Sequence, residues 1–420
     1  MKIIIILPVI ACIFSILPHA CAAINGVTAT YSGTDSGSAN WSSSGNWTPA
    51  TVPNDTSTVG YVTTVGHSGS SALTLNVDVA TTVSRLILSN TSSGGGTSAL
   101  TLKLGADFIL QNETINTGVT ATNSTVVNSS GVASNVVLDL NGHNFTDSTY
   151  SNVNGFTTGS VAYSISNSSG TASKFIVPHW IPTGTVMVGN NVTLVIASSV
   201  ATTESVQTTQ FATGSTLQFA SNNANTVSVN GGTATNNIYN LTIGNTANTN
   251  FADFRGANAG VLAMRVNGDF LINQASNGNA NHMSLGWSGG TAVSTMYLAG
   301  NFTDQGGTGA TSYNTNVTNN HTGLVVFNGG NTQRDVYINR DVQSSVTSSG
   351  STTNLKIGES SSVSGNVRLT HDLTDTVGSL TMLKESRLNV QNFTVTAGSL
   401  VFTDNSGGAT SDLRLYFRNI

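Results

Sequence analysis

Two cysteines occur in the 420 residues, Cys12 and Cys21, and both fall within the first 22. A chain cleaved after Ala22 has no thiol, which excludes disulfides and Cys-based zinc sites. Charge is scarce as well. Asp, Glu, Lys and Arg make up 8% of the chain, against about 25% in ordinary globular domains. Glutamate occurs only at Glu113, Glu204, Glu359 and Glu385. Without Lys2 there are 13 basic residues against 19 acidic, a net charge of −6. The few Lys and Arg are scattered, which excludes a nucleic-acid partner, since phosphate binding needs them clustered. Six prolines are too few for a Pro-rich linker. Beyond the leader no apolar run approaches the ~20 residues of a transmembrane helix.

What replaces the helix formers is Ser, Thr, Asn, Val and 44 glycines, residues that favour strands and turns. Val, Leu, Ile and Phe recur at alternate positions in short runs, so the chain has a core to build and is not a disordered tract. Gly378-Ser379-Leu380-Thr381-Met382 returns twenty residues later as Gly398-Ser399-Leu400-Val401-Phe402. A unit this small cannot bury a face alone and becomes stable when the next unit stacks on it. The expected fold is therefore all-β, a right-handed parallel β-helix (β-solenoid) with coils of about 20–25 residues. Inward positions should include Leu138, Leu140, Leu217, Phe219, Leu241, Ile243, Leu298, Leu355, Ile357, Leu380, Met382, Leu388, Val390, Leu400 and Phe402. A second pattern, Asn-Phe-Thr, appears at Asn144-Phe145-Thr146, Asn301-Phe302-Thr303 and Asn392-Phe393-Thr394. Each follows a strand and a polar turn, and its Phe should open the next inward segment.

Residues 1–22 have the layout of an export signal: Lys2, an apolar stretch from Ile3 to Leu17, and Ala20-Cys21-Ala22 as cleavage site. The stretch is short and broken by Pro8, unlike a membrane anchor, and Pro18 disfavours lipidation at Cys21. The expected divisions are 1–22 signal peptide, 23–66 N-terminal cap, 67–204 irregular solenoid and 205–420 a more regular strand-repeat solenoid. Phe175-Ile176-Val177-Pro178-His179-Trp180-Ile181-Pro182 reads as a rigid junction. The last alternating segment, Leu413 to Phe417, has no unit after it and should leave an uncapped end prone to end-to-end self-association.

Trp41 and Trp47, six residues apart, with Asn46 before the second and Val52-Pro53 and Asp55 after it, suit a cap over the open end of a stack. An aromatic platform for sugar is the other use of such a pair. These residues resemble the start of secreted bacterial β-strand-repeat surface proteins, including autotransporter passenger-like ones. Many of those begin with two tryptophans so spaced, then Val-Pro and an Asp, leading into a right-handed parallel β-helix. The resemblance implies a fold and a surface location rather than an activity, and no translocator barrel follows here.

No constellation of catalytic residues emerges. The tightest charged groups are Arg334-Asp335 with Arg340-Asp341, and His371-Asp372 with Asp375; they read as solvated turn charges, because a site needs convergent groups. His19, His67, His143, His179, His282, His321 and His371 form no pair at ligand spacing, and the Gly-rich calcium repeat is missing. No nucleophile elbow, phosphate loop or dinucleotide fingerprint occurs. Trp180, Trp287, Tyr297, Tyr313, Tyr337 and Tyr416 could line a carbohydrate groove, though packing is their commoner role. The expectation is a secreted or cell-surface, non-enzymatic stalk or adhesin with no catalytic, cofactor or metal site. Its expected partners are surface glycans or other cell-surface proteins. The alternative is a polysaccharide-degrading β-helix enzyme, a lyase or a glycoside hydrolase.

Overall fold

The computed structural model describes residues 25–403 except 57, 93–97, 112–124, 130–135, 148–156, 159–162, 183, 198–201, 221–223, 230–236, 245–250, 257–262, 274–281, 286–292, 306–321, 339–351, 361, 371, 378 and 384. Among the described residues the protein is all-β, and its one helical element is a 3-10 turn at Ser44–Asn46. The strands form long parallel sheets. One holds twelve strands, two hold seven, and others hold six, four and two. Among the described residues the one antiparallel strand pair is Asn25–Tyr31 with Trp47–Thr48.

Sequence neighbours do not pair; as a rule each strand pairs with the one two or three strands later, so the chain visits different sheets in turn before adding to the same one. The twelve-stranded sheet begins at Thr81–Val83, continues through Phe108–Leu110, Phe145–Asp147, Ser173–Val177, Val192–Ile196, Thr216–Phe219, Asn240–Ile243, Phe270–Ile272, Phe302–Asp304, Arg334–Ile338 and Asn366–Leu369, and ends at Arg387–Asn389. In-register pairing aligns Phe108, Phe145, Phe175, Leu194, Leu217, Leu241, Phe270, Phe302 and Val336 in one column. All of them are buried. Identical side chains then meet one rung apart: Phe145 stacks on Phe108 with centroids 5.4 Å apart and on Phe175 at 4.9 Å, and Phe270 on Phe302 at 4.9 Å. Offset aromatic stacks of this kind add about 0.5–1.5 kcal/mol to area burial. The alternation of period two thus decides which residues enter the core.

The rungs are less uniform than the repeats suggest. Phe175 aligns with Leu194, 19 residues on, whereas Phe108 aligns with Phe145, 37 residues on. The variation avoids one corner. Each strand of the twelve-stranded sheet follows its predecessor in one of the seven-stranded sheets after one to eight residues, from Phe108–Leu110 through Arg387–Asn389. That corner is held by side chains acting as acceptors for the next rung. Asn144 N–H donates to Asp107 Oδ1 (2.8 Å) and Lys174 N–H to Asn144 Oδ1 (3.0 Å). Further along, Asp269 N–H donates to Asn240, Asn301 N–H to Asp269 and Asp335 N–H to Asn301, each at 2.9 Å. This ladder explains the Asn-Phe-Thr pattern at Asn144 and Asn301, where Asn caps a backbone donor of the following rung and Phe enters the core. At the third site the expectation fails, because Phe393 is half-buried in a turn before Val395–Ala397. The backbones also approach closely, since a Cβ on Gly300 would lie 2.1 Å from the Gly268 carbonyl oxygen.

Residues 41–55 close edges that a stack would otherwise leave open. Trp41 and Trp47 are buried, with rings 4.6 Å apart and Trp41 against Phe108 at 5.4 Å. Trp41 Nε1 donates to the Pro53 carbonyl and Trp47 Nε1 to the Trp41 carbonyl. Asn46 Nδ2 donates to the Asn40 carbonyl. Asp55 N–H donates to Thr82 O, and Thr82 N–H to Asn54 Oδ1, satisfying the outer edge of Thr81–Val83. The Asp55 carboxylate accepts Tyr61 N–H (2.6 Å) and Ser84 Oγ–H (2.8 Å). Two buried indoles have no free face for a sugar.

Eleven of the expected inward residues, from Leu138 through Met382, are buried. Leu388 and Phe402 are half-buried. Val390 and Leu400 depart from expectation at 37% and 55% exposure. Leu400–Thr403 and Arg387–Asn389 are the outer strands of their sheets, so Leu400 and the residue just past Asn389 have a described rung on one side alone. Leu413 to Phe417 lie outside the described residues.

Candidate functional site

Among the described residues a polar cleft of about 370 Å³ is lined by Tyr31, Gly33, Asp35, Gly66, His67, Ser68, Ser89 and Thr91. It forms where the loop before Gly37–Asn40 meets the end of the strand Val59–His67 one rung later. His67 closes the buried side of that strand, with its side chain fully enclosed, while the Asp35 side chain is 43% exposed. His67 Nδ1 lies 2.7 Å from Asp35 Oδ1. An ionised Asp35 therefore accepts a hydrogen bond from Nδ1–H. Ser68 donates to Asp35 Oδ2 through Oγ (2.9 Å) and N–H (3.1 Å). Burial raises the Asp35 pKa and is the largest single influence. The hydrogen bonds from His67 and Ser68, with the His67 charge, outweigh it and hold the carboxyl below its ordinary value. Burial lifts the Tyr31 hydroxyl above its ordinary value, and the Asp35 charge adds to this; the hydroxyl donates to Thr34 O at 3.0 Å.

A histidine oriented by a carboxylate is half of a nucleophile-activating pair. The other half is missing among the described residues: His67 Nε2 is enclosed and meets no hydroxyl. Ser68 Oγ is turned to Asp35. Chemically the group is a clasp that ties one rung to the next. Asp78 makes a second such tie, accepting from Ser42 N–H at 2.9 Å.

Two other polar clusters stand apart from it. Glu204 is fully buried between the Trp180 N–H, which donates to Oε2, and His179 Nδ1 at 3.3 Å. Trp180 is also buried; its Nε1 donates to Thr209 Oγ1 and its carbonyl accepts from Ser205 N–H. The Pro178–Pro182 segment thus lies between Ser173–Val177 and Val186–Val188, docked on the strand Thr202–Ser205. Farther on, Arg265 forks onto Glu359, with Nη1 at 2.9 Å from Oε2, and lies over the Tyr297 ring at 4.2 Å. Asn328 Nδ2 donates to the same carboxylate at 2.8 Å. The Arg265 hydrogen bonds hold Glu359 below its ordinary pKa against the effect of burial, with Asn328 and the charges of Arg265 and Lys356 adding to them. This brace spans the strands from Ala263–Val266 to Thr352–Ile357 across one face.

Among the described residues the charged groups singled out in the sequence do not gather. Asp335 pairs with Arg368 (2.7 and 2.6 Å) rather than with its neighbour Arg334. Asp372 accepts Thr394 N–H at 2.7 Å. Arg340, Asp341 and His371 lie outside the described residues, as does the side chain of Asp375. Of the aromatic candidates, Trp180 is in the core, Tyr297 carries Arg265 on its ring and Tyr337 is half-buried; Trp287, Tyr313 and Tyr416 are not described. Among the described residues no three His, Cys, Asp or Glu side chains gather around a metal position. Sequence reasoning missed the Asp35–His67 pair, whose members are 32 residues apart; one rung of separation between an acid in a turn and a His at a strand end was the available signal.

Comparison with protein-family models, curated proteins and solved structures returns no match. Among the described residues no helix is long and apolar enough to cross a membrane.

Proposed function

We propose that the chain is a right-handed parallel β-solenoid with an N-terminal Trp-containing cap, exported to the cell surface as a rigid stalk or adhesin of the bacterial strand-repeat kind. The observation that carries this reading is the continuous parallel pairing of the twelve-stranded sheet, from Thr81 to Asn389, with a buried apolar column running from Phe108 to Val336. Eleven steps at about 4.8 Å make a body about 53 Å long along that sheet. A right-handed crossover follows from strand twist. The short corner, one to eight residues long, keeps the stack in register. Glycans or proteins of neighbouring cells are the partners.

The Asp35–His67, Asp78–Ser42 and Arg265–Glu359 groups tie rung to rung, which favours a scaffold over a polysaccharide-degrading enzyme. The test pairs a glycan array with a turnover assay on pectin, alginate and related polymers, with and without calcium. Saturable binding without turnover is the expected result. Sustained depolymerisation, abolished by one carboxylate substitution, would overturn the reading.

A further inference from the structure

The two signs of charge are partitioned differently over the fold. Asp139, Asp147, Glu204, Asp253, Asp304, Asp335 and Asp375 lie in strands, but many other acidic residues sit in turns, where a carboxylate accepts backbone N–H groups, as Asp35, Asp55, Asp78, Asp107, Asp269 and Asp372 do. Among the described residues the basic ones are all in strands. Arg85, Lys103 and Lys174 lie inside the strands Arg85–Asn90, Leu100–Leu104 and Ser173–Val177. Arg255 and Arg265 lie in Phe251–Gly256 and Ala263–Val266, and Arg334, Lys356 and Arg368 in Arg334–Ile338, Thr352–Ile357 and Asn366–Leu369. Each of these eight strands has a hydrogen-bonded neighbour on both sides. Arg387 is also in a strand, but an outer one. Between Gly105 and Gln333 the connections contain no Lys or Arg at all.

A protease of trypsin type reads the Lys or Arg side chain before the scissile bond and holds several flanking residues extended in its own cleft. That backbone must first leave whatever hydrogen bonds it makes. In a central strand both edges are already paired, and freeing it opens the two adjoining rungs as well. Connections give way more easily and are the ordinary sites of nicking, yet between Gly105 and Gln333 they offer such a protease no recognised residue. We propose that this partition makes the folded chain resistant to proteases that hydrolyse after Lys or Arg, which suits a surface scaffold exposed to secreted enzymes.

The experiment is digestion of the whole native chain with trypsin, followed by intact-mass analysis, beside the same chain carrying Asn316→Lys or Asn116→Lys in a long connection. Wild type should keep its body from residue 23 to at least Arg340, with cuts confined to Arg340, Lys384, Arg387, Arg414 and Arg418. Either added Lys should create a new cut at least tenfold faster than any after the eight central-strand residues. Thermal melting of each variant, unchanged from wild type, shows that a new cut reports the sequence and not unfolding. Cleavage of native wild type after Lys103, Lys174 or Arg265 would overturn the proposal. So would resistance of both Lys variants, which would assign the protection to the connections' shape and not their composition.

Discussion

Replacing Asp55 by Ala should unzip the start of the stack and leave the middle untouched. The Asp55 carboxylate accepts Tyr61 N–H at 2.6 Å and Ser84 Oγ–H at 2.8 Å, joining the segment before Val59–His67 to the start of the next rung. Tyr61 is 9% exposed, so its N–H has little water to turn to once the acceptor is gone. Hydrogen bonds to an ionised acceptor contribute about 1.5–3 kcal/mol each, and the two share one residue. A loss of about 3 kcal/mol is the working figure, roughly a 150-fold increase in local opening. Because rungs contact mainly their neighbours, the loss should stay local. Hydrogen exchange with mass readout is the assay. Amides of Val59–His67 and Thr81–Val83 should exchange about a hundredfold faster, while those of Thr216–Phe219 keep wild-type rates. Asp55→Asn, which keeps one acceptor, should fall between. Equal acceleration along the whole chain, or none near Tyr61, would refute the reasoning.

Phe145→Ala, which leaves a gap between Phe108 and Phe175, should cost about 3–5 kcal/mol in denaturant unfolding; a loss under about 1 kcal/mol would mean the column is not packed as described. Ile243→Asp buries a charge at a fully enclosed position and should prevent folding or cost several kcal/mol, whereas Leu400→Asp, at a site 55% exposed, should cost under about 1 kcal/mol. Because the Asp35 pKa is lowered in the folded chain, its contribution is present above the ordinary carboxylate pKa and is lost as pH falls through the lowered value. Melting temperatures measured from neutral pH down to acid should therefore fall more steeply for wild type than for Asp35→Asn, and parallel curves would contradict the clasp.

Much of the core could be read from alternation alone, because a stacked strand converts period two directly into burial, as at Leu217, Phe219, Leu241 and Ile243. The reading failed at Leu400 and Val390, where the pattern continues but the sheets have no further described strand to cover it. The Asn-Phe-Thr pattern was visible, yet the job of its Asn was not: the N–H it accepts belongs to a residue about thirty positions away, and rung lengths that vary from 19 to 37 residues within the twelve-stranded sheet hide that register. The same distance hid the Asp35–His67 clasp. By contrast Trp41, Asn46, Trp47, Pro53 and Asp55 could be grouped in advance, since most of what they bind lies within twelve residues.

The in-register column on the outer face of the twelve-stranded sheet gives the most direct test of the proposed stack. Thr146 and Thr303 belong to it, six rungs apart through Ile176, Val195, Gln218, Thr242 and Leu271. With Cys12 and Cys21 removed along with the leader, the remaining chain has no cysteine, so Thr146→Cys and Thr303→Cys can carry a pair of spin labels cleanly. Six steps of about 4.8 Å predict a narrow distance distribution centred near 29 Å, within the few ångströms added by the label arms. A broad distribution, or a centre beyond about 45 Å, would contradict the parallel stack.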